Sequence, residues 1–241
     1  MEVETVKVIF LSFRRNTIIH FAIVALLFLL LLSIHAGEAM TVLNPSDNTP
    51  IYKGNENEQV IALECNVVWG TEYIGPMLDI LKEKDIRITF FIGGDWAKNN
   101  PDLLKRIAGE GHEIGNHGYS HQHHNNLNLD GNRKEILDTE KVVEAVTGIK
   151  TTLFAPPYGE FNKTTLQAAA SLGYQTIMWS IDTIDWRRDG TDKILQRVMK
   201  DPHNGALILM HPTADTVTAL PVMIEKLQGL GYHIGTVSDA I

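Results

Sequence analysis

The chain has 241 residues, 44% of them hydrophobic, which suits one domain of ordinary size with a sizeable core. Lys and Arg number 21 against 29 Asp and Glu, a net charge of -8 with no basic cluster in the globular part. That argues against nucleic acid as a partner, because phosphate binding needs grouped cations. Cys65 is the only cysteine, which excludes a disulfide framework and a Cys-rich structural zinc site.

Residues 17–34 read TIIHFAIVALLFLLLLSI, without Asp, Glu, Lys or Arg. Eighteen such residues are about the minimum for a membrane-crossing helix. Arg14 and Arg15 precede it and favour a cytoplasmic start over 1–16. Gly37-Glu38-Ala39 suits signal-peptidase cleavage after Ala39. Residues 17–36 are therefore expected to be a transmembrane anchor or a signal peptide. The rest of the chain is expected to be extracytoplasmic, anchored by that single helix or secreted. A linker is expected over 37–58; its polar part, 44–58, carries Pro and Gly and reads as linker or weakly ordered strand edge.

The globular domain is expected over 59–241. The apolar, β-rich run 60–68 predicts a strand, and the spacing of Ile74, Met77, Leu78 and Leu81 predicts a helix over 73–84. A strand follows at 87–92, a helix at 101–110 with Pro in its first turn, and a short strand at 112–116. An amphipathic helix over 130–146 closes at Gly148. Next come a strand at 151–154, a helix at 162–172 capped by Asn162, and a strand at 175–180. A helix at 193–199, a strand at 206–210, a helix at 216–227 and a strand at 232–235 complete the series. Strands alternating with helices imply parallel strands joined by crossover helices, in a barrel-like or doubly wound α/β fold.

In either architecture function sits at the carboxyl ends of the strands. Asn66, His117, Tyr158, Asp182, Asp185 and His211 all follow predicted strands. His117 and His121 stand four apart, a spacing that on a helical turn lets both reach one metal; His123 and His124 follow at once. His211 ends the run ALILM and suits a general acid or base, or a satisfied strand-end histidine. Trp179 to Trp186 mixes carboxylates and aromatics, which suits either a sugar groove or a helix cap with a core Trp.

GHEIGNHGYSH, APPYG, SIDTIDW and LILMH, in this order and spacing, resemble the polysaccharide deacetylases of the NodB-homology group, carbohydrate esterase family 4. The resemblance covers about 59–241. It implies a distorted (β/α) barrel that removes acetyl groups from N-acetylated peptidoglycan or chitin-like glycan with a divalent metal, most often zinc. It further implies that His117 and His121 bind the metal and that His211 protonates the leaving amine. Asp185 would tune His211, and the Tyr158 amide would stabilise the oxyanion. Trp186, Leu209 and Pro157 would line the substrate site.

The sequence departs from this pattern on one side. The family's Thr-Phe-Asp-Asp is Glu64-Cys65-Asn66-Val67 here, so the base position is Asn66 and the third-ligand position is Val67. The Arg that pairs with the base is Ala155. Residues 65–70, CNVVWG, also resemble the Phe-Asp-Ile-Ser-Trp-Gly of a sporulation-associated branch, with Asn for Asp. Glu64 faces the same way as Asn66, with Cα atoms about 6.5 Å apart, and is a candidate surrogate ligand or base. Two functions follow as expectations: slow metal-dependent deacetylation, or glycan binding without catalysis in envelope or spore wall assembly.

Overall fold

The computed structural model describes residues 49–241. The expected cytoplasmic start, the anchor or signal segment 17–36, and most of the linker lie outside the described residues. No helix among the described residues is long and apolar enough to cross a membrane.

The elements in chain order are β1 (Val60–Val67), α1 (Thr71–Glu83), β2 (Thr89–Ile92), α2 (Gly94–Asn99), α3 (Pro101–Gly109) and β3 (Glu113–Asn116). They continue with α4 (Leu129–Thr147), β4 (Leu153–Phe154), α5 (Lys163–Ser171), β5 (Gln175–Thr176) and β6 (Ile181–Asp182). The last are α6 (Thr191–Val198), β7 (Ala206–Met210), α7 (Ala214–Gly229), β8 (His233–Gly235) and α8 (Val237–Ala240). The sheet order is β5-β4-β3-β2-β1-β7-β6, and β8 pairs with the first residues of β1. Every named strand pair is parallel. The expected distorted barrel is thus a curled, parallel α/β sheet.

β1 explains the layering. Strand side chains alternate between faces, and a central parallel strand is buried on both. Ile61, Leu63, Cys65 and Val67 join a cluster with Ile74, Met77 and Leu78 of α1, on the helix side. Ala62 joins Phe91, Leu153, Ala155, Ile177 and Leu207 inside the barrel. Glu64 and Asn66 share the alternation of Ala62, so they are the polar interruptions of the inner face.

Local signals set the helix ends. The Asn128 side chain accepts from Gly131 N, and Gly148 closes α4 at φ 74°. Asn162 and Thr165 form a capping box on α5. Two short helices, α2 and α8, carry too few turns to show a periodic apolar face.

The strand expected at 175–180 is divided. β5 stops at Thr176, and Ile51 pairs beyond it: Ile51 N donates to Thr176 O (2.9 Å) and Met178 N to Ile51 O (2.8 Å). The chain then reaches the other side of the sheet as β6, paired with β7. Gly54 N donates to Gly205 O (2.7 Å), just ahead of β7. The polar stretch 44–58 therefore enters the sheet from Ile51 onward.

Candidate active site

The parallel strands bring their carboxyl ends together. His117 N donates to Ile92 O (2.9 Å), extending the β2–β3 ladder by one residue and fixing where the ring begins. The ring is buried, with Nδ1 2.7 Å from Ala155 O. A carbonyl oxygen only accepts, so Nδ1 carries the proton and Nε2 presents a lone pair. The expected helical turn between His117 and His121 is absent. A loop takes its place, with Gly118 at φ 70° and His121 at φ 53°. Glu135 of α4 holds that loop, accepting from Tyr119 N (2.9 Å), Ser120 N (2.8 Å) and the Ser120 hydroxyl (2.8 Å). The imidazoles of His117 and His121 lie 5.2 Å apart, centre to centre. Burial, then the neighbouring His121, holds the pKa of His117 well below the usual histidine value. Burial, then His211, lowers that of His121.

The histidines that follow go elsewhere. His124 is buried with Nδ1 2.7 Å from Asn132 Oδ1. His123 stacks on Tyr158 at 4.1 Å and 10°, with Nδ1 2.9 Å from Glu160 Oε2. Val67 packs into the helix-side cluster. Glu64 lies three residues before Val67 on β1, about 10 Å deeper along the strand. Among the described residues no three His, Cys, Asp or Glu side chains are grouped to hold a metal ion. Glu64 therefore does not complete the pair, as a surrogate ligand would have to. The donors present, two imidazoles, do not fit a zinc site with three protein ligands.

The acid side is fully assembled. Asp185 is buried and accepts from His211 N (2.6 Å), from the Thr216 hydroxyl (2.6 Å) and, through Oδ1, from His211 Nδ1 (2.8 Å). Since the carboxylate accepts, His211 Nε2 is left free. Trp69 stacks on His211, centres 5.6 Å apart at 7°. This arrangement can hold a protonated imidazole and aim it.

The base side is different. Asn66, 6% exposed, leaves Oδ1 without a donor, and Glu64, 1% exposed, leaves Oε2 without one. Ala155 lies in the inner apolar cluster. Leu209 pairs in register with Glu64 on one side and with Asp182 on the other. Burial, then Asp182, pushes the Glu64 carboxyl well above the usual carboxylate range. Burial also raises Asp182.

Two large aromatics stand out from this end, Tyr158 and Trp186, each 55% exposed. Tyr158 sits at φ 61°, ψ 5°, a left-handed conformation unusual for a bulky residue. Pro157 before it is buried. A Cβ on Gly159 would stand 2.5 Å from the Trp179 ring, so only glycine fits there. Sequence reasoning passed over Trp69 as a site residue, and Glu135 altogether. Trp69 sits just past β1, where position alone could have flagged it. Glu135 carries no signal, since an acidic residue on a long helix reads as solvent-facing.

Comparison with known proteins gives one consistent result. The profile of the polysaccharide deacetylase family matches residues 53–177. The uncharacterised protein YlxY of Bacillus subtilis is 42% identical over 190 residues, covering 79% of this chain and 60% of YlxY. A peptidoglycan-N-acetylglucosamine deacetylase of Bacillus cereus is 34% identical over 190 residues, covering 77% of this chain and 69% of the relative. This chain thus spans less than two thirds of YlxY. A carbohydrate esterase family 4 pseudoenzyme from Bacillus anthracis superposes with a TM-score of 0.79 at 42% identity, covering 80% of this chain and 69% of that one. A mutant of that pseudoenzyme with restored enzymatic activity superposes equally well, at 40% identity.

Proposed function

The chain belongs to the polysaccharide deacetylase family, and on that premise we propose that it binds N-acetylated, peptidoglycan-type glycan without efficient hydrolysis. The observation that carries this is Asn66. An amide stands at the base position, buried and with its oxygen unpartnered. It cannot take a proton at neutral pH. General-base catalysis typically contributes about 10²–10⁴-fold, so the loss is large. Val67 and Ala155 complete the same deficit, on the side where a third metal ligand and the partner of the base would stand. The exposed rings of Tyr158 and Trp186 offer flat apolar faces to sugars. The domain acts outside the cytoplasm, tethered by 17–36 or released after Ala39.

Slow deacetylation is a second reading, favoured by the intact His211–Asp185 pair. In it His211 delivers the proton to the departing amine, and water attack lacks a protein base.

Acetate release from N-acetylated peptidoglycan fragments by the full-length chain separates the two. The binding reading expects none from the native protein, and release once Asn66→Asp, Val67→Asp and Ala155→Arg are combined. Native release that His211→Ala abolishes would replace it with the slow enzyme.

A further inference from the structure

The turn that carries Asp185 and Trp186 is held from two sides. It spans Asp185–Arg187 and is flanked by Ile184 (φ 51°, ψ 33°) and Arg188 (φ 53°, ψ 42°), both left-handed. That conformation is uncommon outside glycine and an outlier for a β-branched residue such as Ile184, so the surroundings must impose it. From inside, Asp185 takes three donors: His211 N, His211 Nδ1 and the Thr216 hydroxyl. From outside, the turn meets Arg197, in the last turn of α6. Its Nη1 donates to Thr183 O (2.8 Å), to Asp189 Oδ1 (3.0 Å) and more loosely to Ile184 O (3.4 Å), and its Nη2 donates to Asp189 Oδ2. One guanidinium thus joins the residues before the turn to the residue after it. Both left-handed positions lie within the span 183–189 that it closes.

A guanidinium is a planar fork whose five N–H groups serve acceptors on two sides at once, a reach that a lysine lacks. Asp185 has its own three donors inside, so Trp186, 55% exposed, is the side chain of this turn whose place depends on the outer clamp. We infer that Arg197 is a positioning residue: it touches no sugar, and it sets the ring of Trp186 against the glycan by bracing the turn from behind. The inference rests on the glycan-binding reading, in which the Trp186 ring faces a sugar. Arg197 also lines a cavity of about 260 Å³ with Ser180, Asp182, Lys200 and His203. Water can follow a shortened side chain into that polar space, so replacing Arg197 loosens the turn without leaving an empty apolar hole.

The test is a double-mutant cycle on the full-length chain, titrated calorimetrically with a peptidoglycan tetrasaccharide of alternating N-acetylglucosamine and N-acetylmuramic acid. Arg197→Gln is expected to weaken binding about fivefold, short of the roughly tenfold that Trp186→Ala costs as a lost aromatic contact. In the Trp186→Ala background, Arg197→Gln is expected to cost nothing further, because the brace and the ring act as one unit. Asp189→Asn, which weakens the clamp on one side and keeps the side-chain shape, is expected to follow the same pattern more weakly. It decides the matter if Arg197→Gln fails to fold. Equal losses with and without the Trp186 ring overturn the inference and make Arg197 a general support of the domain, while glycan binding stands. Unchanged binding in both Arg197→Gln and Asp189→Asn overturns it as well. Unchanged binding in Trp186→Ala also overturns it, since no ring would then need placing. Binding of the tetrasaccharide by no form of the chain removes the glycan reading and the inference with it.

Discussion

At Glu64 a carboxyl group is shut inside the barrel with one oxygen unpartnered. Its pKa is raised by burial and then by Asp182, so the folded chain keeps a proton that the unfolded chain releases above its ordinary value of 4.5. Stability from this residue is therefore full at low pH and falls as pH rises through the raised folded pKa. His112 acts in the opposite sense. It is buried, accepts from Ile88 N at Nδ1 (3.2 Å), and burial lowers its pKa to about 4. Its contribution is present above 6.5 and is lost as pH falls toward about 4. The two oppose within the window from 4.5 to 6.5, where the folded chain holds a proton on Glu64 and keeps one off His112. Urea unfolding of the native chain and Glu64→Gln from pH 5 to 8 isolates the carboxyl. The variant's stability relative to native is expected to climb with pH, and a flat difference would show that the side chain ionises freely. The sequence indicated that Glu64 faces inward, by strand alternation alone. That Leu209 and then Asp182 stand across the strands from it is long-range pairing, which no local pattern shows.

The turn Pro157–Gly159 shows what one element contributes. Its rigidity was legible from Pro156 and Pro157, whereas the left-handed Tyr158 was not, because bulky residues seldom adopt that conformation. Such a residue costs of order 1–3 kcal/mol and persists where the surroundings hold it. Here His121 at 4.4 Å and His123 at 4.1 Å pack on the ring, and a tight Gly159–Trp179 contact follows. Tyr158→Gly is expected to leave the thermal midpoint unchanged or raise it slightly, since relief of strain offsets the lost stacking. The same variant is expected to weaken binding of N-acetylated peptidoglycan fragments about tenfold, at the usual scale of an aromatic contact. A variant that melts early with binding intact would make the ring a structural brace. Legibility followed element length throughout. α4 and α7 run long enough for periodicity and caps to agree, so the predicted 130–146 and 216–227 fall within them. α2 and β6 are too short for either signal.

Across the whole molecule, the sheet depends on a segment that reads as linker. Ile51 exchanges hydrogen bonds with Thr176 and Met178, beyond the β5 edge. Three residues on, Gly54 N reaches Gly205 O, and Asn55 N donates to Ala240 O (2.7 Å). One short stretch therefore ties the β5 edge to the start of β7 and to α8. A Cβ on Gly54 would stand 1.9 Å from Ala240 O, so the crossing requires glycine. No sequence pattern shows this, because the partners lie more than a hundred residues away and the stretch is polar. Net gain per hydrogen bond is about 0.5–1.5 kcal/mol, so the four bonds together are worth about 2–6 kcal/mol. A chain begun at residue 59 is expected to unfold at lower urea than one begun at 49, by a margin of that size. Gly54→Ala in the full-length chain is expected to reproduce part of the loss without removing any residue. Should both unfold with the native midpoint, the segment would be a passenger on the sheet. Should only the shortened chain lose stability, the tie would reside in Ile51, and the Gly54 crossing would be free to shift.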